Sequence, residues 1–164
     1  MSLTIVLPEN MQTEGASAKD HVFTSSKYGT FNVTKLQQWV DANKVAAFHI
    51  SSLREVVDKV LAQIDLDPER LEELRKVPSE QMKPAMACIM GDGTCIIVDG
   101  YHRLRVLTDR QSPMKSYFVP WEVTRKSMVR HFIITDDGRR ELAPCEVLAA
   151  TWGRYSKPEK KMNG

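Results

Sequence analysis

The run Ile96-Ile97-Val98-Asp99-Gly100-Tyr101-His102-Arg103-Leu104 constrains this chain more than any other stretch, because an apolar strand meets a glycine and passes straight into the basic start of a helix. Such a joint suits a phosphate. The strand end fixes a position, the glycine lets a ligand approach the backbone, and the first helical turn offers unpaired N–H groups carrying partial positive charge. The same residues also suit a plain Asp-Gly turn followed by a solvated arginine.

The expected phosphate-binding set is Gly100 with the amides of Tyr101, His102 and Arg103, together with the side chains of His102 and Arg103. Arg103 is the strongest donor, since its planar fork holds two phosphate oxygens at once. His102 can donate to phosphate or work as an acid or base near neutral pH, and with Asp99 it forms the expected catalytic pair. Asp99 is also the candidate magnesium ligand, because that ion commonly bridges a carboxylate and a nucleotide's phosphates; its alternative use is as a cap for the turn. Arg105 faces elsewhere on the helix, while Lys83 and Lys115 flank the neighbouring strands.

Around this box the pattern predicts a hairpin, Met86–Met90 with Thr94–Val98 about Gly91-Asp92-Gly93, then a helix Tyr101–Asp109 packed through Leu104, Val106 and Leu107, then a strand Met114–Pro120. Upstream, Thr34–Val40 reads as a short helix capped by Thr34 with Leu36, Trp39 and Val40 inward. Lys44–Ile50 reads as a strand carrying His49 at its rim. Ser51 or Ser52 then caps a helix whose Leu53, Val56, Val57, Val60, Leu61 and Ile64 form one buried face. Asp67-Pro68 opens a second helix, with Leu71 and Leu74 inside and Glu69, Arg70, Glu72, Glu73, Arg75 and Lys76 on a solvated face without chemistry. Beyond residue 120, Thr124–His131 is expected as a helix, Phe132–Thr135 as a strand paired with Arg139–Leu142, and Glu146–Trp152 as a closing helix. Interleaved helices and hairpins give an α+β class with a small mixed sheet and flanking helices.

With the hairpin before it and the strand after it, Asp99-Gly100-Tyr101-His102-Arg103 resembles the signature of the ParB and sulfiredoxin superfamily, where a Gly-x-[His/Arg]-Arg turn between strand and helix binds nucleotide phosphates. The similarity runs over roughly residues 45–122, including Lys83-Pro84 and Lys115–Pro120, and only the box is specific. The resemblance implies a ParB/sulfiredoxin-like fold, ATP or CTP with Mg2+ as cofactors, and hydrolysis of the nucleotide or nuclease-like action on DNA. The stand-alone domains of phages and plasmids are the nearest kind. Sulfiredoxins place their catalytic cysteine where this chain has Tyr101, so sulfinic acid reduction is not expected, and Cys88 and Cys95 read as small hydrophobes in the hairpin. Chromosome-partition members add two further domains, for which the roughly forty residues after the matched region are too few. Another branch phosphorylates free serine through an Asp-Gly-His-His-Arg box, which this chain matches at four of five positions. A kinase would need a base for the acceptor hydroxyl, for which Glu55, Asp58 and Asp65 are available acids. The third alternative is a non-catalytic interaction module with a vestigial phosphate site.

Length and charge bound the rest. A chain of 164 residues suits one domain, expected at 31–152 between a loosely ordered arm, 1–30, in which Leu3–Leu7 makes a short strand, and a basic tail, 153–164. A net charge of +2 excludes a blanket polycation, so DNA contact would be local. Three cysteines without a ligand spacing fit a reducing cytoplasm and no zinc site. Neither a membrane span nor a leader is expected, and nucleotide, DNA and a second copy of the chain remain as partners.

Overall fold

The computed structural model describes residues 10–155. The expected Leu3–Leu7 strand and the basic tail beyond 155 lie outside the described residues. In chain order the elements are β1 (Met11–Glu14), β2 (Val22–Ser25), β3 (Gly29–Asn32), α1 (Val33–Ala42), β4 (Phe48–His49), α2 (Arg54–Leu61) and α3 (Pro68–Leu74). There follow β5 (Ala85–Ile89), β6 (Cys95–Asp99), α4 (Tyr101–Asp109), β7 (Lys115–Val119), α5 (Trp121–Thr124), β8 (Met128–Thr135), β9 (Gly138–Glu141) and α6 (Pro144–Tyr155). This is an α+β protein with two small sheets.

The first sheet has strand order β4-β7-β5-β6. β5 and β6 form the expected antiparallel hairpin, and α4 carries the chain back so that β7 runs parallel to β5. Alternation along β5 sends its residues to two cores. Met86 and Cys88 join Phe31, Val33, Leu36 and Val40 on one side. Ala85 joins Val57, Leu61, Leu104, Leu107 and Met114 on the other, where α2 and α4 pack. The mixed sheet is therefore covered on both faces.

The second sheet is built on β8, which pairs antiparallel with β1, β3 and β9, while β2 pairs with β3. Here the structure corrects the expectation of a loose arm in its described part, residues 10–30, where Met11–Glu14 and Val22–Ser25 are strands and a third, Gly29–Asn32, begins and leads to the fully buried Phe31. The cause is non-local: Met11 lies opposite Ile133 and Phe31 opposite Met128. It also corrects the helix expected over Thr124–His131. α5 ends at Thr124, one 3-10 turn covers Arg125–Ser127, and β8 begins at Met128, drawn into extended form by partners far away in sequence.

Local signals fared better. α4 spans Tyr101–Asp109 as expected, and α3 begins at Pro68 with the Asp67 side chain accepting from Glu69 N–H at 3.0 Å. β8 and β9 pair as expected across 132–141, and α6 closes the described fold. α1 is present, but its cap is Asn32, whose Oδ1 accepts from Lys35 N–H; Thr34 Oγ1 instead accepts from His21 N–H. The strand expected over Lys44–Ile50 contracts to Phe48–His49, the only part lying along β7. Leu53 and Val56 turn outward from the expected buried face of α2. No helix among the described residues is long and apolar enough to cross a membrane.

Because Phe31 fills the core between the two sheets, Phe31→Ala is expected to lower unfolding free energy by about 3–5 kcal/mol in urea denaturation. A loss under about 0.5 kcal/mol, the range of surface changes, would mean that the N-terminal strands are not part of the core.

Candidate functional site

The joint between β6 and α4 turns at Gly100, whose φ of +101° is a left-handed conformation that glycine adopts without penalty. A side chain there has no room: a Cβ would stand 2.9 Å from both Cα and Cβ of Ala85 on β5 and 3.1 Å from Nη2 of Arg103. The turn thus presses the start of α4 against the neighbouring strand. Arg103 fastens it. Its Nη1 donates to the carbonyls of Lys83 at 3.1 Å and Pro84 at 3.0 Å, and its Nη2 donates to Asp99 Oδ2 at 3.1 Å. Both ends of that ion pair are partly buried.

The other two box residues also face protein. The Tyr101 hydroxyl donates to the carbonyl of Ile97, its ring lies against Phe23, and burial pushes its pKa up to about 12. His102 Nε2 accepts from Asp67 N–H at 3.0 Å, which ties α4 to the cap of α3 and requires the ring to be unprotonated at that nitrogen. Burial first, and the nearby Arg70 charge second, hold the His102 pKa below its ordinary value.

A cleft of about 840 Å³ opens beside this joint. Asp99 and Arg103 line it; Gly100, Tyr101 and His102 are not among its described lining residues. One wall is α1, which contributes Thr34, Gln37, Gln38 and Asp41 at the spacing of a single helical face. Gln37 donates to Asp41 at 2.9 Å. The opposite side holds Arg70 and Leu74 of α3 with Gln81, Met82 and Lys83. With Asp99 and Arg103 neutralising each other, Arg70 and Lys83 outweigh the remaining carboxylate, Asp41. A second cleft of about 330 Å³ shares Met82 and Lys83 with the first and includes Lys115.

The expected site residues therefore divide. Asp99, Arg103 and Lys83 come together at the cleft, whereas His102 and Tyr101 serve as joints inside the fold. Arg105 does face elsewhere, pairing with Asp58 of α2 at 3.0 Å and with Asp109 at 3.1 Å. Of the acids considered as a base, Glu55, Asp58 and Asp65, none lines the cleft; Asp41 and Asp99 do, together with His21. Arg70, expected on a solvated face without chemistry, is exposed as expected and also lines the cleft, one turn before Leu74 on α3. Its i, i+4 relation to that half-buried leucine was the available signal.

Among the described residues no group of three His, Cys, Asp or Glu side chains could hold a metal ion by itself. Asp99 alone offers a carboxylate oxygen next to a guanidinium, so magnesium fits here only as the companion of a ligand's own phosphates. Neither hairpin cysteine is among the residues lining the cleft: Cys88 is buried with its thiol pushed up to about 11, and partial burial also raises that of the exposed Cys95. Comparison of the chain with protein-family models, with curated proteins and with solved structures finds no match.

Two outcomes follow from this geometry. Gly100→Ala combines a disfavoured φ with a clash against Ala85, and is expected to cost about 2–4 kcal/mol in chemical denaturation; an unchanged midpoint would contradict the close approach. His102 takes up a proton near 6.5 in the unfolded chain but only at lower pH when folded, so the unfolded state binds more protons in that window. Stability is accordingly expected to fall as pH drops from about 6.5 through the lowered folded value. His102→Gln should flatten that limb of the profile; an identical limb in the variant would show that His102 does not supply it.

Proposed function

We propose that this chain is a nucleoside-triphosphate-binding domain of the ParB and sulfiredoxin type, taking ATP or CTP with Mg2+ in the cleft beside Gly100. The observation that carries the reading is the convergence of Arg70, Lys83 and Arg103, from three separate segments, on one cleft of about 840 Å³. That size lies in the range of small-molecule sites, and the cation set suits a polyphosphate. Arg70 and Lys83 are the exposed donors in this reading. Arg103, held by two carbonyls and Asp99, contributes its remaining N–H groups and a fixed orientation. Asp99 is the residue that would hold a magnesium ion brought by the phosphates, whose charge the ion would help to neutralise.

The reaction proposed is hydrolysis of the terminal phosphate or of a DNA phosphodiester, in a reducing, cytoplasmic setting. His21, Asp41 and Asp99 are the lining groups able to take a proton from an attacking water; His102 is engaged elsewhere. A second reading, a nucleotide-dependent kinase, is favoured by the smaller cleft that adjoins the first across Met82 and Lys83, a layout with room for an acceptor. The engagement of Tyr101, His102 and Arg103 in internal bonds favours the non-catalytic alternative instead.

Isothermal titration with ATP, CTP and GTP in the presence of Mg2+ tests the reading. ATP or CTP is expected to bind, and Arg70→Ala or Lys83→Ala to weaken binding by roughly tenfold each without a change in melting temperature. No heat of binding with any of the three would contradict the reading. With binding established, release of inorganic phosphate, transfer of label to serine, or neither, separates the three activities.

A further inference from the structure

Three of the four large apolar side chains that the described residues leave exposed fall in one short run: Phe48 at 61%, Leu53 at 46% and Val56 at 57%, the fourth being Ile134. Single exposed hydrophobes are ordinary on any surface; three within nine residues of chain are the feature to explain. Phe48 stands on β4, the two-residue strand that ends the mixed sheet, and its ring meets Phe118 edge-on with centroids 6.0 Å apart. Leu53 and Val56 lie one turn apart where a 3-10 turn, Ser51–Leu53, runs into α2. The inner stripe of α2, Val57 and Leu61, is spent on the core. Its outer face carries Val56 between Glu55 and Lys59, both exposed. Those two charges are four residues apart, the spacing at which helix partners usually join. Neither has an ion pair or hydrogen bond among the described residues.

We propose that this face is where two copies of the chain associate, with α2 packing antiparallel on α2 of the second copy about a two-fold axis. The charges identify the occupant. An axis through the middle of α2 puts Val56 in the apolar centre of the contact, sets Glu55 opposite Lys59 of the second copy, and repeats the pairing in reverse. One self-complementary face thus satisfies both unpaired charges twice. Leu53 and Phe48 extend the apolar area, and the outer edge of β4 is covered instead of being left as a template for stray strand pairing. This inference stands independently of the nucleotide reading.

Sedimentation equilibrium of the full chain over a roughly hundredfold concentration range tests it. The wild type is expected to show a reversible monomer–dimer equilibrium. Val56→Glu should raise the dimer dissociation constant at least about tenfold, with circular dichroism and melting temperature unchanged because the position is exposed. Glu55→Lys alone and Lys59→Glu alone should each weaken the dimer by roughly tenfold, and the two exchanges together should restore it. A wild-type chain that stays monomeric throughout, as expected if another protein or the chain's own termini cover this face, overturns the proposal. So does a dimer indifferent to Val56→Glu, or a double exchange that fails to restore association.

Discussion

The guanidinium of Arg103 ties together three pieces of chain: the segment entering β5, through the carbonyls of Lys83 and Pro84; the end of β6, through Asp99; and its own helix α4. Hydrogen bonds from a charged donor to carbonyls are the strong kind, and a partly buried ion pair adds to them. The clamp works because Gly100 has no side chain. Only then can the first turn of α4 sit against Ala85 closely enough for Arg103 to reach back across β5. The clamp adds to the apolar packing of Leu104 and Leu107 in seating α4 on the sheet.

That dependence changes what the strand-glycine-helix motif is for in this protein. Read as a sequence, it offers its side chains to a ligand. In the fold, the His102 side chain turns inward to the cap of α3 and Tyr101, whose backbone amide is the expected donor, bonds through its hydroxyl to the strand it leaves, while Arg103 lines the cleft yet is bonded to the segment entering β5 and to β6. The joint fixes where α3 and the Gln81–Lys83 segment stand relative to α1, and so shapes the cleft between them. Ligand recognition, in the reading proposed above, moves from the motif itself to the cations it positions.

What could be read ahead of the structure was whatever short-range chemistry decides. Asp67 caps and Pro68 starts a helix through bonds within four residues; the Gly91-Asp92-Gly93 turn closes a hairpin between adjacent strands; the period of Leu104 and Leu107 belongs to one helix. β1, β2 and β3 escaped because each is four residues long and takes its extended form from β8 or from a neighbour that β8 holds. Met128–His131 was misread as helical for the same reason, seen from the other side. On α2, Leu53 and Val56 fit a helical period and were counted as core, but periodicity reports only that a face is apolar, not what lies against it. Arg70 and the polar face of α1 escaped as site residues because their cleft is assembled from segments remote in sequence.

The most direct test is a crystal structure of the protein with ATP or CTP and Mg2+. The phosphates are expected within hydrogen-bonding distance of Arg70 and Lys83, on the side of the cleft where Arg103 still holds the Lys83 and Pro84 carbonyls. Phosphates bound away from these residues, or a cleft left empty at saturating nucleotide, would contradict it.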